Sequence, residues 1–144
     1  MSRIKVIGIG SAMRRDDGIG IRLVNALKVD DVECAECPCD LSILHALENC
    51  DAAVIADAVD FGGKPGETRV MKPGDLPRNG GETHSMNLGR ILDLADLGGE
   101  RPEILIFGVQ PADVGFGDSL SEEMSRAMPS VERALETLVR NLAR

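Results

Sequence analysis

Two hydrophobic patterns alternate along the chain. Short apolar runs rich in Val, Ile and Ala are typical of buried strands, whereas apolar residues at every third or fourth position are typical of helices covering a sheet. The first pattern predicts strands at 3–9, 32–37, 52–56, 67–72 and 103–109, with that at 67–72 on a sheet edge. The second predicts helices at 18–28, 41–48, 86–97 and 121–142, the last bent at Pro129.

This alternation predicts the α/β fold class, as a three-layer α/β/α domain with a mostly parallel central sheet of about five strands. The length of 144 residues fits a single domain spanning 1–144. The hydrophobic fraction of 43% is ample for a packed core. We therefore expect one globular domain with one ligand-binding edge.

Composition and charge exclude several classes of partner. Aromatic residues make up only 2% of the chain, which argues against the stacking platforms of single-stranded nucleic-acid binders. The net charge of −8 would repel phosphate backbones and anionic membrane surfaces. No apolar run approaches the roughly 20 residues that span a bilayer. We expect a cytoplasmic protein with no nucleic-acid or membrane partner and with mostly reduced cysteines.

Polar residues stand where the predicted strands end. In open α/β sheets, ligands bind beyond the carboxyl ends of the strands. That rule selects the loop with Asp16 and Asp17, the end of the third strand at Asp57, and the turn at His84. We expect the functional site at this edge.

The first loop contains Gly8 and Gly10 but lacks the other marks of a nucleotide site. Met13 occupies the position where a dinucleotide fingerprint needs its third glycine, and no Gly-Lys-Ser/Thr follows as in a P-loop. A small nucleotide-binding module therefore remains only as a rival interpretation.

The acidic residues at this edge have both structural and functional interpretations. Asp16 and Asp17 lie at a predicted helix start, where a carboxylate caps free amides, so one could cap while the other faces the cleft. Asp57 ends an apolar run, and such a carboxylate must be hydrogen-bonded, charge-paired or bound to a cation. Asp60 adds a carboxylate in the same loop, and stabilisation of the loop through backbone amides is the structural alternative for both residues.

The two histidines differ in their surroundings. His84 lies in a Gly- and Pro-rich loop before a helix, whereas His45 lies within a predicted helix and is expected to be packed or on the surface. A histidine with two carboxylates suits a borderline divalent ion such as zinc or nickel.

The cysteines form no complete site. Cys34 and Cys37 have the spacing of half a zinc site, but no second half follows, so structural or incidental thiols are favoured over a metal site. A cysteine protease is disfavoured, because no thiol lies at a strand end or helix start near His84. Cys39 and Cys50 carry no stronger signal, and Ser85 beside His84 is not a triad signature.

Four segments together resemble one family. They are GIGSAMRRDDGIG at 8–20, IADAVDFG at 55–62 followed by PGE, THSM at 83–86, and FGVQP at 107–111 followed by GFG and LS. In this order they resemble the nickel–iron hydrogenase maturation endopeptidases, closest to the branch serving hydrogenases of formate hydrogenlyase type. The chain departs from the family at Ser11, usually Asn, and at Arg15, commonly Gly.

The resemblance implies a protease acting late in hydrogenase assembly. Its substrate would be the large-subunit precursor, already loaded with nickel, from which it removes a C-terminal extension. Asp17, Asp57 and His84 match the family's metal-contacting positions, and Asp16 matches a neighbouring acidic position of second rank. The nickel is expected to be carried by the substrate, with zinc or cadmium as substitutes. The alternative is a non-cleaving nickel-handling or assembly chaperone of the same fold.

Overall fold

Strands and helices alternate along the chain as the hydrophobic pattern predicts. The computed structural model describes residues 3–38, 42–76, 84–99 and 101–143, and for residues 84–87 the backbone alone. The elements are β1 (Ile4–Ile9), α1 (Ile19–Ala26), β2 (Val32–Cys37), α2 (Ser42–Ala46), β3 (Ala52–Ala58), β4 (Thr68–Met71), α3 (His84–Leu97), β5 (Glu103–Val109) and α4 (Glu122–Leu142). Short 3-10 turns occupy Arg15–Gly18 and Pro73–Asp75.

Within these residues the strands form one five-stranded sheet in the order β2-β1-β3-β5-β4. β1, β2, β3 and β5 are parallel, and β4 runs antiparallel to β5 at one edge. The mostly parallel sheet and the edge position of the fourth strand are confirmed.

Helices cover both faces of the sheet. On one face, Ile7, Ile9 and Ile55 pack with buried residues of α2 and α3. On the other, Val6 and Val54 pack with buried residues of α1 and α4. Since successive side chains of a strand point to opposite faces, residues 6 and 7 supply one side chain to each core. The three layers are therefore those predicted.

The last helix is the longest of those described, and its start follows from local chemistry. Ser121 is its N-cap, and the hydroxyl oxygen accepts a hydrogen bond from the Met124 amide at 3.2 Å. Val131, Leu135 and Val139 are buried at intervals of four residues, which is one face of a helix. Pro129 lies inside this helix, which continues on both sides of it.

Several predicted boundaries shift, among them α1, which spans Ile19–Ala26 rather than 18–28. β3 continues to Ala58 rather than ending at residue 56, because it pairs with β5 through Ala58, so Asp57 lies within the strand opposite Gly108. α3 begins at His84, two residues before the predicted start. α2 is shorter than 41–48, although residue 41 lies outside the described part.

No helix in the described part of the chain is long and apolar enough to cross a membrane.

Candidate functional site

Three loops meet at the carboxyl edge of the sheet. β1, β3 and β5 are neighbouring parallel strands, so their carboxyl ends lie at the same edge. The loops 10–18, 59–67 and 110–121 follow them in that order. The first carries Asp16 and Asp17, and the second carries Asp60 and follows Asp57 at the end of β3.

Glycines seat the first loop directly on the strands. A Cβ atom at Gly20 would overlap the carbonyl oxygens of Ile9 and Ala56, so the start of α1 lies against the ends of β1 and β3. Gly10 has φ +143°, and a Cβ there would overlap the carbonyl oxygen of Asp17. The chain therefore turns back on itself tightly and brings Asp17 to the end of β3.

The same packing argues against the nucleotide interpretation. Phosphate-binding loops use glycines to expose amides to a ligand. Here the space beside Gly8 and Gly10 is filled by backbone atoms of Gly20 and Asp17 from the same motif. The glycines of this motif serve close backbone packing.

Asp17 and Asp57 are both buried at this edge. The Asp17 carboxylate accepts a hydrogen bond from the amide of Ser11 at 3.2 Å. Because this bond uses the backbone of Ser11, the departure from the family's asparagine leaves it intact. Gly8 pairs with Ala56, which places Asp57 just beyond the end of that ladder, beside the first loop.

The third predicted metal-contacting residue, His84, is the first residue of α3. Its side chain lies outside the described atoms, so the predicted meeting of His84 with Asp17 and Asp57 stays a prediction. Among the side chains that the structure does describe, no three His, Cys, Asp or Glu residues are grouped to hold a metal ion.

Asp16 joins the first loop to the third. One carboxylate oxygen accepts the Ser121 amide at 2.8 Å, and the other accepts the Ser121 hydroxyl at 2.7 Å and the amides of Ala112 and Asp113 at 2.8 and 3.0 Å. Burial acts to raise the pKa of Asp16, but these hydrogen bonds, led by those of Ser121, hold it below its ordinary value. Asp16 therefore neither caps its own turn nor faces the cleft with its carboxylate, and it anchors a distant loop instead.

Gln110 joins the second loop to the third. Its side-chain oxygen accepts the amides of Phe61 and Gly63 at 2.9 and 3.0 Å, and its nitrogen donates to Asp60 at 3.0 Å. The pKa of Asp60 is lowered by this bond from Gln110 and by the amide of Gly62. The Asp60 carboxylate accepts the backbone amide of Gly62 at 3.1 Å, as the structural interpretation of this loop predicts.

Sequence reasoning missed the roles of Gln110 and Ser121. Gln110 directly follows the buried strand β5, and a polar side chain at such a strand end was the available signal. The same signal selects Asp57 at the end of a buried run. Ser121 was read only as a helix start.

Arg15 takes a conformation that favours glycine. Its φ is +47°, a strain of about 1 kcal/mol or more for a residue with a Cβ. Its guanidinium pairs with Asp113 at 2.7 Å, and its amide donates to the Gly117 carbonyl at 3.1 Å. This backbone geometry gives a physical reason for the glycine common at this position in the resembling family.

The remaining candidates lie away from the site. His45 is an exposed residue, 3.5 Å from Glu48, as expected of a surface histidine. Cys34 and Cys37 lie three residues apart on β2, so they point to opposite faces and cannot ligate one ion together. Neither forms a disulfide among the described residues, and Cys39 lies outside them.

Known proteins similar in sequence come from one functional group. The family model described as HycI, hydrogenase maturation protease, matches residues 40–139. The hydrogenase expression/formation protein HupD of Thiocapsa roseopersicina is 32% identical, over 94% of this chain and 67% of its own length. The hydrogenase 3 maturation protease of Escherichia coli K12 is 30% identical, over 89% of this chain and 85% of its own length.

Solved structures with the same fold agree with these relatives. The hydrogenase maturating endopeptidase HybD from E. coli superimposes with a TM-score of 0.78 at 26% identity, covering 96% of this chain and 93% of that one. The [NiFe] hydrogenase maturation protease HycI from Thermococcus kodakarensis gives 0.67 at 26% identity, with the same coverage.

Proposed function

Because the chain belongs to the hydrogenase maturation protease family, we propose that it removes the C-terminal extension of a nickel-loaded [NiFe]-hydrogenase large-subunit precursor. One observation carries the site: Asp17 and Asp57 are buried carboxylates at the carboxyl ends of adjacent strands. Asp17 is brought there by backbone packing that only glycine permits, and Asp57 by the pairing of β3 with β5. The helix that starts at His84 supplies the third group.

The proposed site completes the coordination of a metal that arrives with the substrate. Two carboxylates and an imidazole are suitable ligands for a borderline divalent ion, which makes nickel fit, with zinc or cadmium as substitutes. The ion serves first to let the protein recognise a nickel-loaded precursor. A shared ion also polarises a nearby carbonyl, or lowers the pKa of bound water from about 15.7 towards 7.

This arrangement explains selectivity for a loaded precursor. Asp17 and Asp57 supply only part of a ligand set, and the precursor's own nickel ligands supply the rest. A precursor without nickel would leave the two proteins without their shared ion, so we expect it to remain uncut.

Asp16 and Asp60 are the second-rank candidates for activating the water that attacks the peptide bond. Both carboxylates are engaged by donors of the neighbouring loops, which favours positioning over proton transfer. We therefore assign the metal contacts to Asp17, Asp57 and His84. Asp16 is assigned the role of holding the loop that carries Asp17.

The alternative of a non-cleaving chaperone is not favoured. The relatives named for an activity are proteases or endopeptidases, and the match extends over most of the chain. We place the reaction in the cytoplasm. Assignment to the branch serving formate hydrogenlyase-type hydrogenases stays a prediction from the sequence motifs.

The test is cleavage of the cognate large-subunit precursor, prepared with and without nickel and analysed by mass spectrometry. Asp17→Asn, Asp57→Asn and His84→Ala should abolish release of the C-terminal peptide from the nickel-loaded form. His45→Ala is the matched control, because it removes the other histidine from an exposed helix position, and it should cleave normally. Binding of the precursor without any cleavage by the native protein would instead support the chaperone.

A further inference from the structure

The end of β5 and the residues that follow it are bonded to both sides of the candidate site. Gly108 pairs with Asp57 of β3. Further along, the amide of Asp113 donates to the carboxylate of Asp16 at 3.0 Å, and its carbonyl accepts the Asp16 amide at 2.9 Å. Residues 108–113, which we call the spacer, therefore link the strand that carries one acidic residue of the site to the loop that carries the other.

Gln110 holds the middle of the spacer in place. Its backbone amide donates to the carbonyl of Glu67, and its carbonyl accepts the amide of Gly66, both at 2.9 Å. Its side chain is bonded to the loop 59–67 through both the oxygen and the nitrogen. Because every polar atom of this buried residue is bonded, a shift of residue 110 would break several hydrogen bonds at once.

Pro111 stiffens the connection between the bonds of Gln110 and those of Asp16. Its ring restricts its own φ to about −65°, and it also restricts the backbone of the residue before it. The chain between the two sets of bonds is therefore short and has few conformations. Proline has no backbone N–H, so replacing Pro111 removes this restraint without removing a backbone donor.

The spacer acts directly beside Asp17. Gly10 packs against Asp17 within one loop, and Gly20 seats the end of that loop on the strands. The spacer adds a contact at Asp16, the neighbour of Asp17, from the same chain segment that pairs with Asp57. The ligands of one ion must be held within about 0.5 Å of their working positions. A single stiff segment bonded to both sides meets this requirement.

We propose that the spacer fixes the separation of Asp17 from Asp57, with Gln110 and Pro111 as positioning residues. The use of this separation to hold a shared ion rests on the proposed function, whereas the separation itself does not. Among the described residues, neither Gln110 nor Pro111 is hydrogen-bonded to the loop 10–18. A change at either position should nevertheless loosen that loop, because the spacer transmits it.

The first test is amide hydrogen exchange of the full chain without metal, measured by mass spectrometry on peptides that cover the loop 10–18. Pro111→Gly should raise the exchange rate of this loop roughly twofold to fivefold, because the Asp16 amide donates to the end of the spacer. Gln110→Ala should raise it further, since it also removes the side-chain bonds. Pro102→Gly is the matched control: Pro102 is a half-buried proline before β5, as Pro111 is after it, and its replacement should leave this loop unchanged.

The second test measures kcat/KM for cleavage of the nickel-loaded precursor by the same variants. Pro111→Gly should lower it roughly twofold to fivefold, Pro111→Ala should lower it less because alanine is more restricted than glycine, and Pro102→Gly should not change it. Faster exchange confined to the loop 59–67 and the spacer would overturn the proposal. An equal rise in the loop 10–18 for both proline-to-glycine variants would also overturn it.

The two proposals fail in distinguishable ways. If the native protein never cuts the nickel-loaded precursor, the proposed function fails, and hydrogen exchange of the metal-free protein still decides the spacer. If the native protein cuts the precursor and Pro111→Gly matches it in both exchange and kcat/KM, the spacer is overturned and the proposed function stands.

Discussion

The loops 10–18 and 59–67 are fastened to the same third loop by different chemistry. The first is held by the carboxylate of Asp16, which is buried among donors from residues 112, 113 and 121. The second is held by the neutral amide of Gln110, which both accepts and donates. A carboxylate makes stronger hydrogen bonds but depends on its ionisation, whereas an amide is weaker and independent of pH. The two sides of the site should therefore respond differently to isosteric substitution.

The largest effect is expected for Asp16→Asn. Both oxygens of Asp16 accept hydrogen bonds, so either orientation of an asparagine amide turns its NH2 group towards donors. We expect the free energy of unfolding to fall by about 3 kcal/mol or more at neutral pH. The measurement is urea unfolding followed by circular dichroism, because the chain has no Trp or Tyr for fluorescence.

Unfolding measured at acid pH tests whether the loss in Asp16→Asn depends on the ionisation of Asp16. The pKa of Asp16 is lowered on folding from its ordinary value of 3.8, so the folded state binds fewer protons than the unfolded state around and below that pH. The stability contributed by this group is present above about pH 4 and is lost as the pH falls through the folded pKa. The difference in the free energy of unfolding between the native protein and Asp16→Asn should therefore shrink below pH 4. A difference that stayed constant down to pH 2.5 would show that ionisation of Asp16 does not stabilise the fold.

A smaller effect is expected for Gln110→Glu, the opposite exchange at the other anchor. The oxygen that accepts from Phe61 and Gly63 is retained, but the donor to Asp60 becomes a second carboxylate oxygen. We expect a loss of roughly 1 to 2 kcal/mol at pH 7, recovered near pH 4 as the new carboxyl group takes up a proton. Unfolding at both pH values measures it. Gln110→Ala is the control, because it adds no carboxyl group and should recover in acid only the part that depends on the ionisation of Asp60. An equal pH response of the two variants would exclude this explanation.

The smallest effect is expected at Arg15, where strain and an ion pair oppose each other. Arg15→Gly relieves the positive φ but loses the half-exposed pair with Asp113, so its stability should stay within about 1 kcal/mol of the native value. Arg15→Ala loses the pair and keeps the strain, so it should be the less stable of the two by about 1 kcal/mol. Thermal unfolding of both variants provides the comparison. Equal stability of the two would mean that the backbone at residue 15 rearranges without cost.

Hydrophobic periodicity predicted the framework well, because burial decides it locally. Ile7 and Val54 lie in runs that could only be buried strands, and the mostly parallel sheet followed from strand–helix alternation. Asp57 was placed at the correct edge. The strand around it runs on to Ala58, because pairing with β5 extends past the apolar run.

The anchors of the site could not be predicted in this way. The partners of Gln110 lie 47 to 50 residues away, and those of Asp16 lie 96 to 105 residues away. No periodicity links such distant positions. A carboxylate near a helix start looks the same in sequence whether it caps that helix or binds a loop from the other end of the domain.

The long reach of Asp16 also has a consequence for biosynthesis. When residue 16 leaves the ribosome, the amides that will surround its carboxylate have not yet been translated, since the nearest belongs to residue 112. At typical rates of synthesis this interval is on the order of ten seconds. During that time the glycine-rich turn beside Asp17 has no fixed partner on the third loop. A ribosome-bound chain therefore carries an unfinished site, and the protein becomes competent only once nearly all of the domain has been made.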